Sequence, residues 1–229
     1  MKKGKFIVVD GIDGSGKNTQ TKAIVEKLKE NNQKVEVIDF PQYDNNFFGK
    51  LISQYLAGEL GSGAEVSPYI ASVLYAADRF ESSKKIKKWL DSGFIVIADR
   101  YVSSNQIHQG GKIKDSQERE KFLKWLNEME YNVFEIPKPN AIFYLNVSCA
   151  VSGKLLDNKD ALGRKKYAHG KKDIHESDAN HMNNARESAL KLVEEENNWI
   201  NIECMKNGKM LPIRDITDKI WLEIKPFVE

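Results

Sequence analysis

The chain has 229 residues, 41% of them hydrophobic, enough to bury one substantial core. Lys and Arg total 35 against 33 Asp and Glu, a net charge of +2, so overall charge lends no support to nucleic-acid or membrane-surface binding. After Met1-Lys2-Lys3 only four apolar residues precede Asp10, too few for a secretory signal, and no later run could span a bilayer; a cytoplasmic location is expected. Cys149 and Cys204, near the ends of expected strands, read as small buried residues rather than a disulfide.

The first element is an apolar strand over 5–10, followed directly by Gly11-Ile12-Asp13-Gly14-Ser15-Gly16-Lys17-Asn18 and a helical pattern over 17–30. A strand, a glycine turn and a helix in that order aim backbone N–H groups and a helix N-terminus at one spot, which suits a phosphate chain. The expected P-loop pattern is Gly, four residues, Gly-Lys and then Ser or Thr. Here Asn18 takes the hydroxyl position, and Thr19 is turned about 100° further around the helix.

Next come a strand at 35–39, helices at 46–60 and 68–91, and a strand at 94–99. Ser67, Pro68 and Gly93 mark the boundaries of the second helix. A helix at 115–130 opens on Asp115 and Glu118 in capping-box spacing. A strand at 141–147, helices at 149–157 and 177–197, a strand at 199–204 and a helix at 212–225 complete the chain. The near-continuous apolar strands indicate a parallel α/β sheet buried on both faces, in one domain over 1–229 without repeat or linker. Ligands bind at the carboxyl ends of such strands, so Asp10, Asp39, Asp99 and the loops after them are expected to share one cleft.

Three clusters fall there. Asp99-Arg100-Tyr101 ends the third strand; the acid suits a magnesium ion held through water, the arginine a phosphoryl group. Tyr75, Asp78 and Arg79 stand at i, i+3 and i+4 on the long helix, so a ring can stack on a nucleobase while a guanidinium meets its carbonyl edge. An amphipathic helix with Arg79 snorkelling to solvent is the structural alternative. The stretch 154–172 carries seven basic residues against two acids, with Gly163 and Gly170 as hinges, and suits a lid over transferring phosphates at about 153–172. A solvated basic loop is its alternative.

Through the glycine loop, Phe40-Pro41, Gly49-Lys50-Leu51-Ile52, the Tyr75 to Arg79 helix, Asp99-Arg100-Tyr101 and Asp173-Ile174-His175-Glu176, the chain resembles the thymidylate kinases over most of its length and in the family's order. The resemblance implies a P-loop NTPase fold with a five-stranded parallel sheet flanked by helices, a homodimer, and transfer of the γ-phosphoryl of ATP to dTMP, giving dTDP and ADP with Mg2+. Gly11, Ile12, Asp13, Gly14, Ser15, Gly16, Lys17, Asn18 and Thr19 would form the ATP loop, with Lys17 on the β and γ phosphates. Asp13 would also reach the sugar and phosphate end of dTMP. Tyr75 takes the stacking position and Arg79 the base-reading one, while Asn105 and Gln109 match polar positions near thymine and its sugar. Phe40 completes the acceptor site. Arg100 would clamp phosphates, with Asp99 near the magnesium.

The chain departs from the family pattern at several points. Some members carry an arginine inside the P-loop where Gly14 stands, so the lid would supply that charge, Arg164 first and then Lys154, Lys171 and Lys172. Asp10 replaces the usual glutamate, Tyr43 stands where many members have an arginine for the acceptor phosphate, and His108 takes a position usually held by a tyrosine beside the deoxyribose. His169, His175 and His181 are six apart, off any single helical face, and no metal site is expected from them. Two other readings stay open: a kinase for another nucleoside monophosphate, and a GTP-binding switch. The switch needs Asn-Lys-x-Asp, and its nearest counterpart, Asn158-Lys159-Asp160-Ala161, has the acid one place early.

Overall fold

The computed structural model describes residues 3–43, 45–60, 66–161 and 179–228, without the side chains of 157–161 and 179. Strands β1 (Lys5–Asp10), β2 (Val35–Asp39), β3 (Ile95–Asp99), β4 (Ala141–Asn146) and β5 (Trp199–Glu203) form a parallel sheet of five described strands in the order β2-β3-β1-β4-β5. Side chains alternate between its faces. Phe6, Val8, Val96, Ala98, Ile142 and Tyr144 point to one face. Ile7, Val9, Ile95, Ile97, Phe143 and Leu145 point to the other.

Helix α1 (Lys17–Glu30) and the C-terminal α8 (Ile213–Val228) cover the second face through Ile24, Leu28, Ile216 and Ile220. Helices α3 (Pro68–Asp91), α5 (Ser116–Asn127) and α7 (Ala179–Glu195) cover the first through Ile86, Leu90, Phe122, Leu126 and Leu192. Two shorter helices, α2 (Phe47–Leu56) and α6 (Cys149–Ala161), follow β2 and β4. Helix signals in the sequence act as expected: Ser67 Oγ accepts from Tyr69 N–H at 3.3 Å with Pro68 at the first turn, and Asp115 Oδ1 accepts from Glu118 N–H at 2.9 Å. Both cysteines are free thiols; Cys204 is buried, whereas Cys149 is only half-buried at the start of α6. Among the described residues no helix is long and apolar enough to cross a membrane.

The structure also contains elements the sequence reading did not anticipate. A short helix, α4 (Val102–His108), follows β3 directly, with five of its seven residues buried despite its polar sequence. Strands β6 (Met205–Lys206) and β7 (Lys209–Met210) pair in an antiparallel hairpin whose turn, Asn207-Gly208, has both φ angles positive, at 52° and 73°. Asn-Gly is the sequence such two-residue turns demand. Helix α6 runs to Ala161, four residues beyond the expected end at 157, because no Gly or Pro stands between 157 and Gly163 to end it. The first part of the expected lid stretch is therefore helical, and Asn158 to Ala161 lie within this helix.

Asn46 ties the loop after β2 to both neighbouring helices. Its side-chain oxygen caps α2 by accepting from Gly49 N–H at 2.6 Å, and its amide donates to Asp78 Oδ1 on α3 at 2.6 Å. Asn46→Ala removes both bonds and should cost about 1–2 kcal/mol. The melting temperature should then fall by about 2–4 °C per kcal/mol. Asn46→Ser keeps a capping oxygen and should lose less; equal losses in thermal melts of the two variants would contradict the cap.

Candidate active site

Between β1 and α1 the backbone must turn sharply, and Gly14 (φ 79°) and Gly16 (φ 92°) take left-handed conformations that a side chain would strain. A Cβ on Gly14 would also lie 2.5 Å from the Ser152 carbonyl oxygen. The Ser152 hydroxyl donates to the Asp13 carbonyl, so α6 is docked against the loop. No side chain fits at residue 14, which accounts for the absence of an arginine there. Lys17, at the first turn of α1, folds back and donates to the carbonyls of Gly11 at 2.8 Å and Ile12 at 2.9 Å. Burial, reinforced by the charge of Arg100, pushes its ammonium pKa down to about 8, against the pull of Asp13, Asp10 and Asp99. Asn18 and Thr19 are both exposed at the helix start.

At the end of β3 the chain kinks. Arg100 adopts φ 70°, a strained value for a residue with a Cβ, held by Arg100 N–H donating to Val9 O at 3.1 Å and Phe40 N–H donating to Asp99 O at 3.0 Å. The kink swings the guanidinium over the glycine loop, where Nη2 pairs with Asp13 and Nη1 lies 3.4 Å from His108 Nε2. Burial alone would raise the Asp13 pKa, but the charge of Arg100, with Lys17 behind it, outweighs this and holds the carboxyl well below the usual range. Asp99 differs: burial raises its pKa despite Lys17 and Arg100, and among the described residues its carboxylate takes no hydrogen bond. Asp39 and Asp99 are register partners at the sheet edge, so the strand-end acids converge as expected.

A cleft opens beside this cluster, lined by all nine residues expected at the acceptor site: Asp13, Phe40, Tyr43, Tyr75, Arg79, Arg100, Asn105, His108 and Gln109. Tyr75 is held edge-on by Tyr55, ring centroids 6.4 Å apart. Asn105 donates to Ser72 O on α3 at 3.4 Å, which joins α4 to the long helix. Asp78 is structural: it accepts from Gln42 N–H at 3.1 Å and from Asn46. Arg164, Lys171, Lys172, His169, His175 and the 173–176 segment lie outside the described residues; Lys154 is exposed on α6.

Arg79 does not snorkel. It is 2% exposed, and Glu130, wholly buried, takes Nε–H at 2.8 Å and Nη2–H in a two-point pair, while Nη1 donates to Tyr101 O at 3.3 Å. Sequence reading missed Glu130, which sits in a polar run that looks like a solvated helix face. It is brought inward by a π-helical stretch, Glu128–Val133, that follows α5, with Phe134 N–H donating to Met129 O five residues back. Also missed was the setting of Asp10, whose carboxylate accepts from Ser103 Oγ at 2.5 Å, Ser104 Oγ at 2.9 Å and Gly11 N–H at 2.8 Å. Asp10 anchors α4 to the glycine loop. His181, set aside in the sequence with two other histidines, lies beside His108 with ring centroids 5.5 Å apart and a nitrogen of each facing the other.

The family model described as Thymidylate kinase matches residues 9–211. The thymidylate kinase of Plasmodium falciparum is 31% identical over 225 residues, 97% of this chain and 90% of that protein. The human thymidylate kinase is 29% identical over 74% of this chain and 71% of its own length. A solved thymidylate kinase structure from Candida albicans superposes with a TM-score of 0.70 at 22% identity, covering 98% of this chain and 92% of that one, a likeness of fold. The match begins at the end of β1 and takes in the glycine loop, the α3 pair and the β3 kink that line the cleft, and on it the chain belongs to the thymidylate kinase family.

Proposed function

We propose that this chain transfers the γ-phosphoryl of ATP to dTMP, giving dTDP and ADP, with the glycine loop holding the donor and the cleft beside it the acceptor. One observation carries the reading: Arg100, paired with Asp13 next to Lys17, lines the same cleft as Tyr75 and Arg79, so cations suited to phosphates and groups suited to a base stand side by side, as a nucleoside monophosphate acceptor requires. Phosphoryl transfer asks the protein for alignment and charge neutralisation, and the acceptor phosphate is itself the nucleophile. Lys17 would leave the loop carbonyls for the donor phosphates. Arg100, held between Asp13 and His108, is placed to bridge donor and acceptor. Tyr75 offers a ring face to the thymine, and Arg79, fixed by Glu130, its remaining N–H groups.

The donor set fits magnesium held mainly by phosphates and water. Asp10 is saturated by hydroxyls and an N–H, Asp13 is paired with cations, and Asp99 keeps a carboxylate without a hydrogen bond; no group of three or more potential ligands exists among the described residues. Magnesium bound with ATP supplies positive charge to the transferring group. The lid at about 153–172, with Arg164 foremost, is proposed to add further cations, and a single domain in a cytoplasmic location completes the reading. A homodimer is part of it: Ile70, Val73 and Phe80 stand exposed at helical spacing on α3, near exposed Phe47 and Val133, an apolar surface that a second copy would cover.

A panel of nucleoside monophosphates in an ATP-consumption assay tests the substrate. dTMP should give the highest kcat/KM; preference for another monophosphate would move the reading to a sister kinase. Lys17→Ala should cut turnover by at least about 10²–10³, the cost of removing one preorganised electrostatic group. Wild-type kcat/KM for ATP should fall as pH rises through about 8, because the free enzyme then loses the Lys17 proton. The folded chain releases that proton earlier than the unfolded one, whose lysine keeps its ordinary value of 10.5, so this group makes stability rise with pH across the same window. A flat kcat/KM profile from pH 7 to 9.5 would contradict the assignment.

Arg79→Ala and Tyr75→Ala should raise the KM for dTMP and spare that for ATP, with about 1–3 kcal/mol lost for the ring. Tyr75→Phe should be mild. Arg79→Ala should also destabilise the fold by about 3–5 kcal/mol, since it strands the Glu130 charge, and Glu130→Gln in the same background should recover part of that loss. A raised ATP requirement with dTMP spared would place the donor, and not the acceptor, against α3.

A further inference from the structure

His108 lines the acceptor cleft between the phosphate end, at Asp13 and Arg100, and the base end, at Tyr75 and Arg79. Its ring nitrogens are both engaged. Nε2 faces Arg100 Nη1 at 3.4 Å, and Nδ1 faces His181 Nε2 at 3.4 Å, the two ring planes within 20° of each other, so the ring N–H can point at its partner. A guanidinium carries only donors, so His108 Nε2 must be the bare, accepting nitrogen. The His108 proton then sits on Nδ1, and His181 Nε2 must accept it, which leaves the His181 proton on Nδ1. Burial and the charge of Arg100 favour the neutral ring, against the opposing pull of Asp13. A chain of hydrogen bonds results, Arg100 donating to Asp13 and to His108, and His108 to His181, which links the glycine loop to α7.

We infer that His181 is a positioning residue of the acceptor site: by accepting the Nδ1 proton of His108 it fixes that ring's tautomer and plane, and so keeps Arg100 aimed between Asp13 and the acceptor phosphate. His181 does not line the cleft; it acts through His108. Without its acceptor, the Nδ1–H of His108 would be a buried donor with no partner. The ring would gain by turning or by moving its proton to Nε2, and either change places a donor or a carbon against the guanidinium. Arg100 would lose one of its two lateral supports, while Lys17 and the donor side of the loop would keep theirs.

The kinetic consequence rests on the dTMP kinase reading above; the tautomer does not, and the two are tested separately. Nitrogen NMR of the 15N-histidine-labelled wild-type protein should show His108 protonated at Nδ1 and bare at Nε2. His181→Leu, which keeps bulk and removes the acceptor, should raise the KM for dTMP about tenfold, the weight of one buried hydrogen bond, with the KM for ATP within twofold. His181→Gln, whose amide oxygen can accept in the same place, should restore most of the dTMP affinity. His108 protonated at Nε2 in the wild type would overturn the inference, and so would a Gln variant as impaired as the Leu variant, or a Leu variant as good as wild type. If the wild type phosphorylates no dTMP, the functional reading fails, and the NMR result alone decides the role of His181. The NMR result also decides if the Leu variant does not fold.

Discussion

The site depends on the burial of opposite charges at the carboxyl edge of a parallel sheet. Taking Asp13 and Arg100 out of water costs several kcal/mol per ion unless each finds a partner in good geometry. Two features supply that geometry. The glycine loop brings Asp13 back over the end of β1, and the left-handed kink at Arg100 brings the guanidinium across from β3. Neighbouring charges are each compensated in turn: Lys17 by two carbonyls, Asp10 by two hydroxyls and an N–H. Arg100 is thus held in place before any ligand arrives, a form of electrostatic preorganisation, whereas Lys17 is parked on two loop carbonyls.

The other end of the cleft is built on the same logic, from different elements. Asp78 and Asn46 tie the loop after β2 to α3, which places Phe40 and Tyr43 opposite Tyr75. Glu130 fixes Arg79 from beneath, using two of its three nitrogens, and Tyr101 O takes the third. Tyr101 is itself buried against Phe6 and Phe40, with centroids 4.8 Å and 5.6 Å away, so the strand that carries Arg100 also supports Arg79. The two ends thus share one rigid frame. A ligand bridging them recovers binding energy from both without ordering new backbone.

Most of the frame was legible in the sequence, for identifiable reasons. Doubly buried strands leave near-continuous apolar runs, and each of the five starts and ends within a residue of where those runs do. The glycine loop, the β3 end beside it and the helix spacing of Tyr75 and Arg79 pointed to the cleft from the residues alone, whereas Phe40, Tyr43, Asn105, His108 and Gln109, which also line it, were legible only through the family resemblance. What stayed hidden was the supporting layer. Glu130 looks like a surface acid until a π-helical stretch brings it inward, Ser103 and Ser104 look like loop polarity until α4 folds them onto Asp10, and His181 shows no pairing with His108 in one dimension. Such partners are joined across 51, 93 and 73 residues of chain, and neither periodicity nor capping reports on contacts that long.

The most direct test is a crystal structure of the chain with dTMP, magnesium and a non-hydrolysable ATP analogue. In that complex the Lys17 ammonium should have left the Gly11 and Ile12 carbonyls for the donor phosphates. Arg100 should contact the acceptor phosphate while still flanked by Asp13 and His108, and the thymine should lie on Tyr75 with its edge toward an Arg79 still paired to Glu130. A thymine bound elsewhere, with Tyr75 and Arg79 facing the adenine of the donor or solvent, would contradict the account.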